Sequence, residues 1–142
     1  MTKYTEEELN KILEDHQLFL NDNTKGGRAN LTNVNLRGAD LRGVNLMGAN
    51  MDFADLRYAN LYKAYLYKAD LSNADLRDAN LKGANLIDAN LRDANLKGAN
   101  LVGADLEGAI MRLSSLTGVN LSVTNLSDAS LSGAIFGGMK NE

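Results

Sequence analysis

The sequence predicts an all-β repeat solenoid with one α-helix at its front, and three observations predict it. Large apolar residues recur every five positions from Leu31 to Phe136 without insertion or deletion, 22 units with leucine at 19 centres. Each centre follows a small residue and a polar one, and two positions later stands glycine in 10 units and Asn or Asp in six more. Proline is absent, as befits a chain whose amide donors are committed to pairing between neighbouring coils.

The front element is "TEEELNKILEDHQLFLND". Thr5 and Glu8 have capping-box spacing, and Leu9, Ile12, Leu13, His16 and Leu20 share one helical face. The spacing predicts a helix over about 5–21 that folds across the first coil, with "NDNTKGGRAN" as its connection. His16 is expected as a packed, hydrogen-bonded side chain of that face, not a ligand or base. The chain thus divides into a capping segment, 1–28, a solenoid, 29–138, and a tail, 139–142.

Within a unit, the residue two before the centre is alanine in 17 cases and the residue between them is Asn or Asp in 17. Small, polar, large reads as in, out, in along three residues of extended chain. The next two positions turn the chain, and glycine, Asn and Asp at the second tolerate the positive φ of a type II turn. Segment and corner, repeated, build a coil that stacks on the last at about 4.8 Å per turn. Leucines fill the middle, each contributing roughly 1.5 to 3 kcal/mol by burial, and alanines fill the narrower gaps.

The units "ADLRG", "ADLSN", "ANLKG" and "ANLRD" resemble the A(D/N)LXX pattern of the pentapeptide repeat family, and the resemblance covers 29–138. It implies four units per coil and a right-handed quadrilateral parallel β-helix. Twenty-two units then make about five and a half coils, a rod of roughly 26 Å.

With four units per coil, residues twenty apart stack. Arg37, Arg57, Arg77 and Lys97 form one column beside Asp55, Asp75 and Asp78. They read either as a self-neutralising solvated face or as a stripe for an acidic partner. Met47, Tyr67 and Ile87 form an outward apolar column. The coil 51–70 places Phe53, Tyr58, Lys63 and Lys68 at corners, where turns that avoid positive φ are expected. Phe53, Tyr58, Tyr62, Tyr65 and Tyr67 all belong to this coil, as cover for corners lacking glycine or as a recognition belt. Ile110 and Leu113 are a second candidate contact. Ile135, Phe136 and Met139 offer an apolar terminus, either a plug or an end-to-end contact between two copies.

Composition excludes several functions. Fifteen basic and 18 acidic residues give a net charge of −3, too balanced to predict nucleic-acid or membrane binding. Without cysteine and with one histidine, disulfides, metal sites and cofactor ligation are not expected. A polar start and the lack of an 18-residue apolar run predict a cytoplasmic protein. A convex rod filled with Leu and Ala offers no concave site for catalysis. The expected function is a non-enzymatic protein-interaction or scaffold module, monomeric or an end-to-end dimer. The resemblance also implies an alternative, a DNA-mimic modulator of bacterial type II topoisomerases of the quinolone-resistance type. The 10 basic and 11 acidic residues of the repeats lack the strongly negative surface that mimicry requires. A structural spacer is the third reading.

This register predicts that Leu81→Ala costs about 2 to 5 kcal/mol while Lys82→Ala, one residue on, leaves stability nearly unchanged. Urea melts of the two variants check it, and equal losses would refute the in-out assignment.

Overall fold

The structure, a computed structural model, describes residues 1–138; Met139 and the rest of the tail, 139–142, lie outside the described residues. Parallel bridges join residues twenty apart, from Asn30 with Asn50 down to Ser115 with Ile135. Four units therefore complete a coil, and the rod has four walls. We number them by their first units, centred on Leu31, Leu36, Leu41 and Leu46. Central residues from Leu46 to Met111 are at most 1% exposed, and the alanines beside them are equally closed off.

Why a five-residue beat is stable follows from the backbone donors of one unit. Leu56 N–H donates to the Asp75 carbonyl at 2.8 Å and Tyr58 N–H to that of Arg77 at 3.0 Å, both in the next coil. Asn60 N–H donates back to Ala39 at 2.9 Å, and Ala59 N–H closes the turn on Leu56 at 3.0 Å. The fifth donor, Arg57 N–H, has no carbonyl available and is taken by the Asp55 side chain at 3.2 Å. The same bond occurs wherever the polar position is Asn or Asp, as at Asn35, Asn60, Asn85 and Asn100. That position is thus more than an outward polar residue: its oxygen satisfies an amide that the coil geometry leaves over.

One expectation is overturned. Phe53, Tyr58, Lys63 and Lys68 do not avoid positive φ; they have φ of 57°, 60°, 54° and 54°. So do Leu113 at 60° and Val123 at 51°. The corner N–H must reach the carbonyl of the next coil, as Phe53 does to Ser72 and Lys63 to Lys82, each at 3.0 Å. Any other turn would break that bond in the middle of the stack, so from Asn33 to Gly118 the neighbouring coils impose the conformation on whatever residue is present, while Val123 keeps the same φ with no such bond among the described residues. The cost is roughly 1 to 2 kcal/mol for each side chain so placed.

α1 (Glu6–Asn21) begins one residue after the expected start, with Thr5 as its cap. The capping box is complete: Thr5 N–H donates to Glu8 Oε2 at 2.8 Å, and Glu8 N–H to Thr5 Oγ1 at 3.2 Å. Tyr4, Leu9, Ile12 and Leu13 pack on the first coil. Gly26 turns the connection at φ 63°, where an added Cβ would collide with the Asp15 carbonyl. Ahead of the helix, Thr2 adds a single rung above the second wall, its N–H donating to Asn33 at 3.0 Å and its carbonyl accepting from Asn35 at 2.7 Å.

His16 is the fully buried residue of α1. Its Nδ1 accepts from Ala29 N–H at 3.1 Å, supplying the first unit with the acceptor that a turn carbonyl provides in later ones. Among the described residues Nε2 has no hydrogen-bond partner. Burial lowers the His16 pKa, and Arg28 adds to this, while the nearby Met47 backbone opposes it. The folded protein therefore holds the neutral ring, and protonation would remove the acceptor.

A lowered histidine pKa gives stability that is fully present above about pH 6.5 and declines as pH falls below it. Urea melts between pH 7.5 and 5 should show that loss, with a slope of at most about 1.4 kcal/mol per pH unit. His16→Gln, which can still accept from Ala29 without titrating, should flatten the profile. An equally steep profile in the variant would remove His16 as the cause.

Candidate protein-binding surface

Each outward side chain inherits its position from the turn that carries it, so a surface is read by wall and coil. On the second wall Arg37, Arg57 and Arg77 stand one above another beside Asp55 and Asp75. Arg57 is held by two contacts to Asp55, at 2.7 and 2.6 Å, and lies 3.6 Å from Asp75. Arg77 pairs with Asp75 at 2.6 Å. The Arg57 hydrogen bonds hold the buried Asp55 carboxyl below the usual carboxylate range, and Asp55 in turn raises the Arg57 pKa. Arg57 and Arg77 thus neutralise Asp55 and Asp75 of their own wall. Arg37 has no carboxylate partner among the described residues and lies 5.0 Å from the centre of the Tyr58 ring, where the ring face attracts the cation.

The aromatic coil is a belt, not a patch. Phe53 projects from the first wall, Tyr58 from the second, Tyr62 from the third, and Tyr65 and Tyr67 from the fourth. Phe53, Tyr58 and Tyr65 are 54%, 54% and 55% exposed. Lys63 covers the Tyr62 ring at 5.3 Å and Lys68 the Tyr67 ring at 4.9 Å. Sequence reasoning missed these three cation–ring pairs, although Lys directly after Tyr at 62–63 and 67–68 was visible. Tyr65 also replaces Asn or Asp at the polar position, so no side chain there receives the Tyr67 N–H.

The other candidates are placed as follows. Met47, Tyr67 and Ile87 stack, each half-buried. Ile110 and Leu113 are 42% and 53% exposed, and Leu113 leans over the corner at Gly133. Ile135 and Phe136 are 60% and 44% exposed, and Leu121, Leu126 and Leu131 of the same coil are only half-buried. Met139 lies outside the described residues. A surface depression of about 650 Å³ is an open trough on α1 between Glu6, Glu7, Asn10, Lys11, Glu14 and Asp15. Among the described residues no group of His, Cys, Asp or Glu is placed to hold a metal ion, and no helix is long and apolar enough to cross a membrane.

A coil of four identical corners, paired through bridges twenty residues apart, defines a four-walled β-solenoid with its chemistry on the outside. The chain belongs to the pentapeptide repeat family: the family described as Pentapeptide repeats matches in 8 copies, over 27–61, 47–73, 59–98, 74–112 and 114–138. Among solved structures it is similar to HetL, a pentapeptide repeat protein involved in heterocyst differentiation regulation from the cyanobacterium Nostoc sp. strain PCC 7120. The two are 32% identical with a TM-score of 0.56, and the match covers 80% of this chain and 60% of HetL. The pentapeptide repeat protein alr5209 from Nostoc PCC 7120 is 30% identical over 87% of this chain and 94% of its own, with a TM-score of 0.48. QnrB1, a plasmid-mediated fluoroquinolone resistance protein, is 16% identical over 75% of this chain and 68% of its own with a TM-score of 0.50, a likeness of fold alone. The fold is the right-handed quadrilateral β-helix of this family. A comparison with curated proteins gave no match.

If the left-handed corners are imposed and not preferred, relieving one should stabilise the protein. Val123 is 86% exposed, and even a Cβ added at Gly103 in the coil before would come no nearer to its side chain than 4.0 Å. Val123→Gly should therefore raise stability by about 1 kcal/mol. Tyr65→Asn, which restores the acceptor for Tyr67 N–H, should add about 0.5 to 1 kcal/mol. Denaturant midpoints measure both, and a loss in both variants would contradict the assigned strain and the assigned role of the polar position.

Proposed function

We propose that this protein is a non-enzymatic protein-interaction module whose rigid rod presents the aromatic coil 51–70 and the column Arg37, Arg57, Arg77 and Lys97 to a partner. The observation that supports this is the run of four successive corners, Phe53, Tyr58, Lys63 and Lys68, all at positive φ. Each lowers stability where glycine or Asn would not, and none fills the core. Strain kept at consecutive positions whose side chains face solvent is the pattern of a functional surface. Exposed tyrosines suit such a surface because they cover much area at little cost in side-chain entropy. A cytoplasmic location agrees with the absence of cysteine.

The DNA-mimic alternative draws on the same fold but receives less support. Duplex DNA carries one charge per about 1.7 Å of axis, so a rod of roughly 26 Å would need about fifteen uncompensated charges. The repeats hold 11 acidic residues against 10 basic ones.

The test compares capture from a lysate of the source organism by wild type and by a variant carrying Phe53→Gly, Tyr58→Gly, Tyr62→Ser and Tyr65→Asn. Three of these substitutions suit the local backbone, so the variant should melt no lower than wild type. Arg57 is left intact because its loss would strand the buried Asp55. A protein retained by wild type and lost from the equally stable variant is the expected result; identical capture by both would remove the belt as the site.

A further inference from the structure

The charges of the repeats are not spread evenly around the rod. The second wall carries Arg37, Arg57, Arg77 and Lys97 and the third carries Arg42, Lys63 and Lys82, seven cations against the four carboxylates Asp40, Asp55, Asp75 and Asp78, a net of +3. The fourth and first walls carry the remaining three cations, Lys68, Arg92 and Arg112, against seven carboxylates, a net of −4. A near-neutral rod thus has one basic edge and one acidic edge on opposite sides.

Pairing sharpens the difference. On the basic side Arg42, Arg57 and Arg77 are each bound to an aspartate two residues earlier, at 2.6 Å. That leaves Arg37, Lys63, Lys82 and Lys97 without a carboxylate within ion-pair distance among the described residues, against one unpaired acid, Asp78. All four free cations are exposed. Two of them sit on the rings of Tyr58 and Tyr62 at 5.0 and 5.3 Å, so a cation and an aromatic face are presented together at each of the two corners that bound the third wall.

Resting on the interaction reading above, we propose that this basic edge, the third wall with the corner of Arg37 and Lys97 on one side and that of Lys63 and Lys82 on the other, docks an acidic segment of a partner protein in extended conformation. The spacing fits. Arg37 and Lys97 are three coils apart, about 14 Å at the strand spacing, and carboxylates four residues apart on an extended strand lie about 13 Å apart on one face. Tyr58 and Tyr62 supply apolar area between these anchors. Nucleic acid suits the edge less well, because Asp40, Asp55, Asp75 and Asp78 stand among the cations and would repel a continuous line of phosphates. A peptide presents amide donors between its carboxylates and accommodates both signs.

The test is fluorescence anisotropy of a labelled ten-residue peptide alternating Glu and Thr, its Gln–Thr counterpart, and a ten-nucleotide single strand, each titrated with the whole protein at 50 and 300 mM NaCl. The Glu peptide should bind, the Gln peptide should not, and the affinity should fall as salt rises. The triple variant Lys63→Glu, Lys82→Glu, Lys97→Glu should weaken Glu-peptide binding by about tenfold or more. The control variant Arg92→Glu, Arg112→Glu, on the acidic side, should bind as wild type does. Equal binding of both peptides, equal loss in both variants, or tighter binding of the oligonucleotide would overturn the proposal. Melting curves confirm that both variants fold. If the peptide does not bind while lysate capture still depends on the belt, the acidic partner falls and the interaction reading stands. If capture is independent of the belt but the triple variant alone loses the peptide, the belt reading falls and the basic edge remains.

Discussion

The hydrogen bond from the corner N–H to the carbonyl one coil on, made at each corner from Asn33 to Gly118, is the constraint from which the rest of the structure follows. It fixes positive φ at the third residue of each of those turns, and so fixes the turn, the right angle and the four-walled section. Because it repeats twenty residues on, the coils stay in register, and the central leucines stack at the strand spacing without needing shape complementarity of their own. The bond is also indifferent to side chain. Phe53, Lys63 and Leu113 adopt the same backbone as Gly38 and Gly83, because the coils on either side over-determine it.

The same donor accounting explains which parts of the fold were legible beforehand. Leucine at the centre, alanine before it and glycine after it report burial and backbone freedom directly, so coil, wall and register could be read from spacing. The corners at 53–68 were misjudged because residue preference was weighed without the ladder that overrides it. The role of Asn and Asp was only half visible: period-two alternation says that they face out, but only the coil shows that one amide per unit lacks a carbonyl. Arg57 was named as a surface candidate, and its bond to the buried Asp55 could not be seen from a column of charges. Thr2 carried no signal at all, since one residue pairing above a wall has neither period nor composition.

The ends of the rod obey the rule in different ways. At the front, α1 covers the first coil, Thr2 supplies backbone partners to Asn33 and Asn35, and His16 accepts from Ala29 where no turn carbonyl is available. A histidine suits this task because a neutral ring offers an acceptor on one nitrogen within an apolar surround. Around Phe136 the central residues are half-buried and no element among the described residues lies over them, so the closed core of the middle coils is confined to the span with a neighbour on both sides.

The corner also limits how a binding surface can be built on such a rod. A side chain at positive φ does not project freely; it leans over the same corner of an adjacent coil. An added Cβ at Gly83 would meet Lys63 at 3.3 Å, and one at Gly133 would meet Leu113 at 2.7 Å. Two bulky corner residues therefore do not fit one above the other, and each needs a small residue in the next coil of its column. The sequence obeys this: Asn73 follows Phe53, Asp78 follows Tyr58, Gly83 follows Lys63 and Asp88 follows Lys68, with Asn33, Gly38, Gly43 and Gly48 on the other side. Large corner side chains are thus restricted to a belt one coil thick. Columns several coils tall must be made from the preceding position, where Arg37, Arg57, Arg77 and Lys97 stand. An interaction surface that uses both area and charge has to combine a belt with a column, and the two meet on this protein where Tyr58 lies under Arg37.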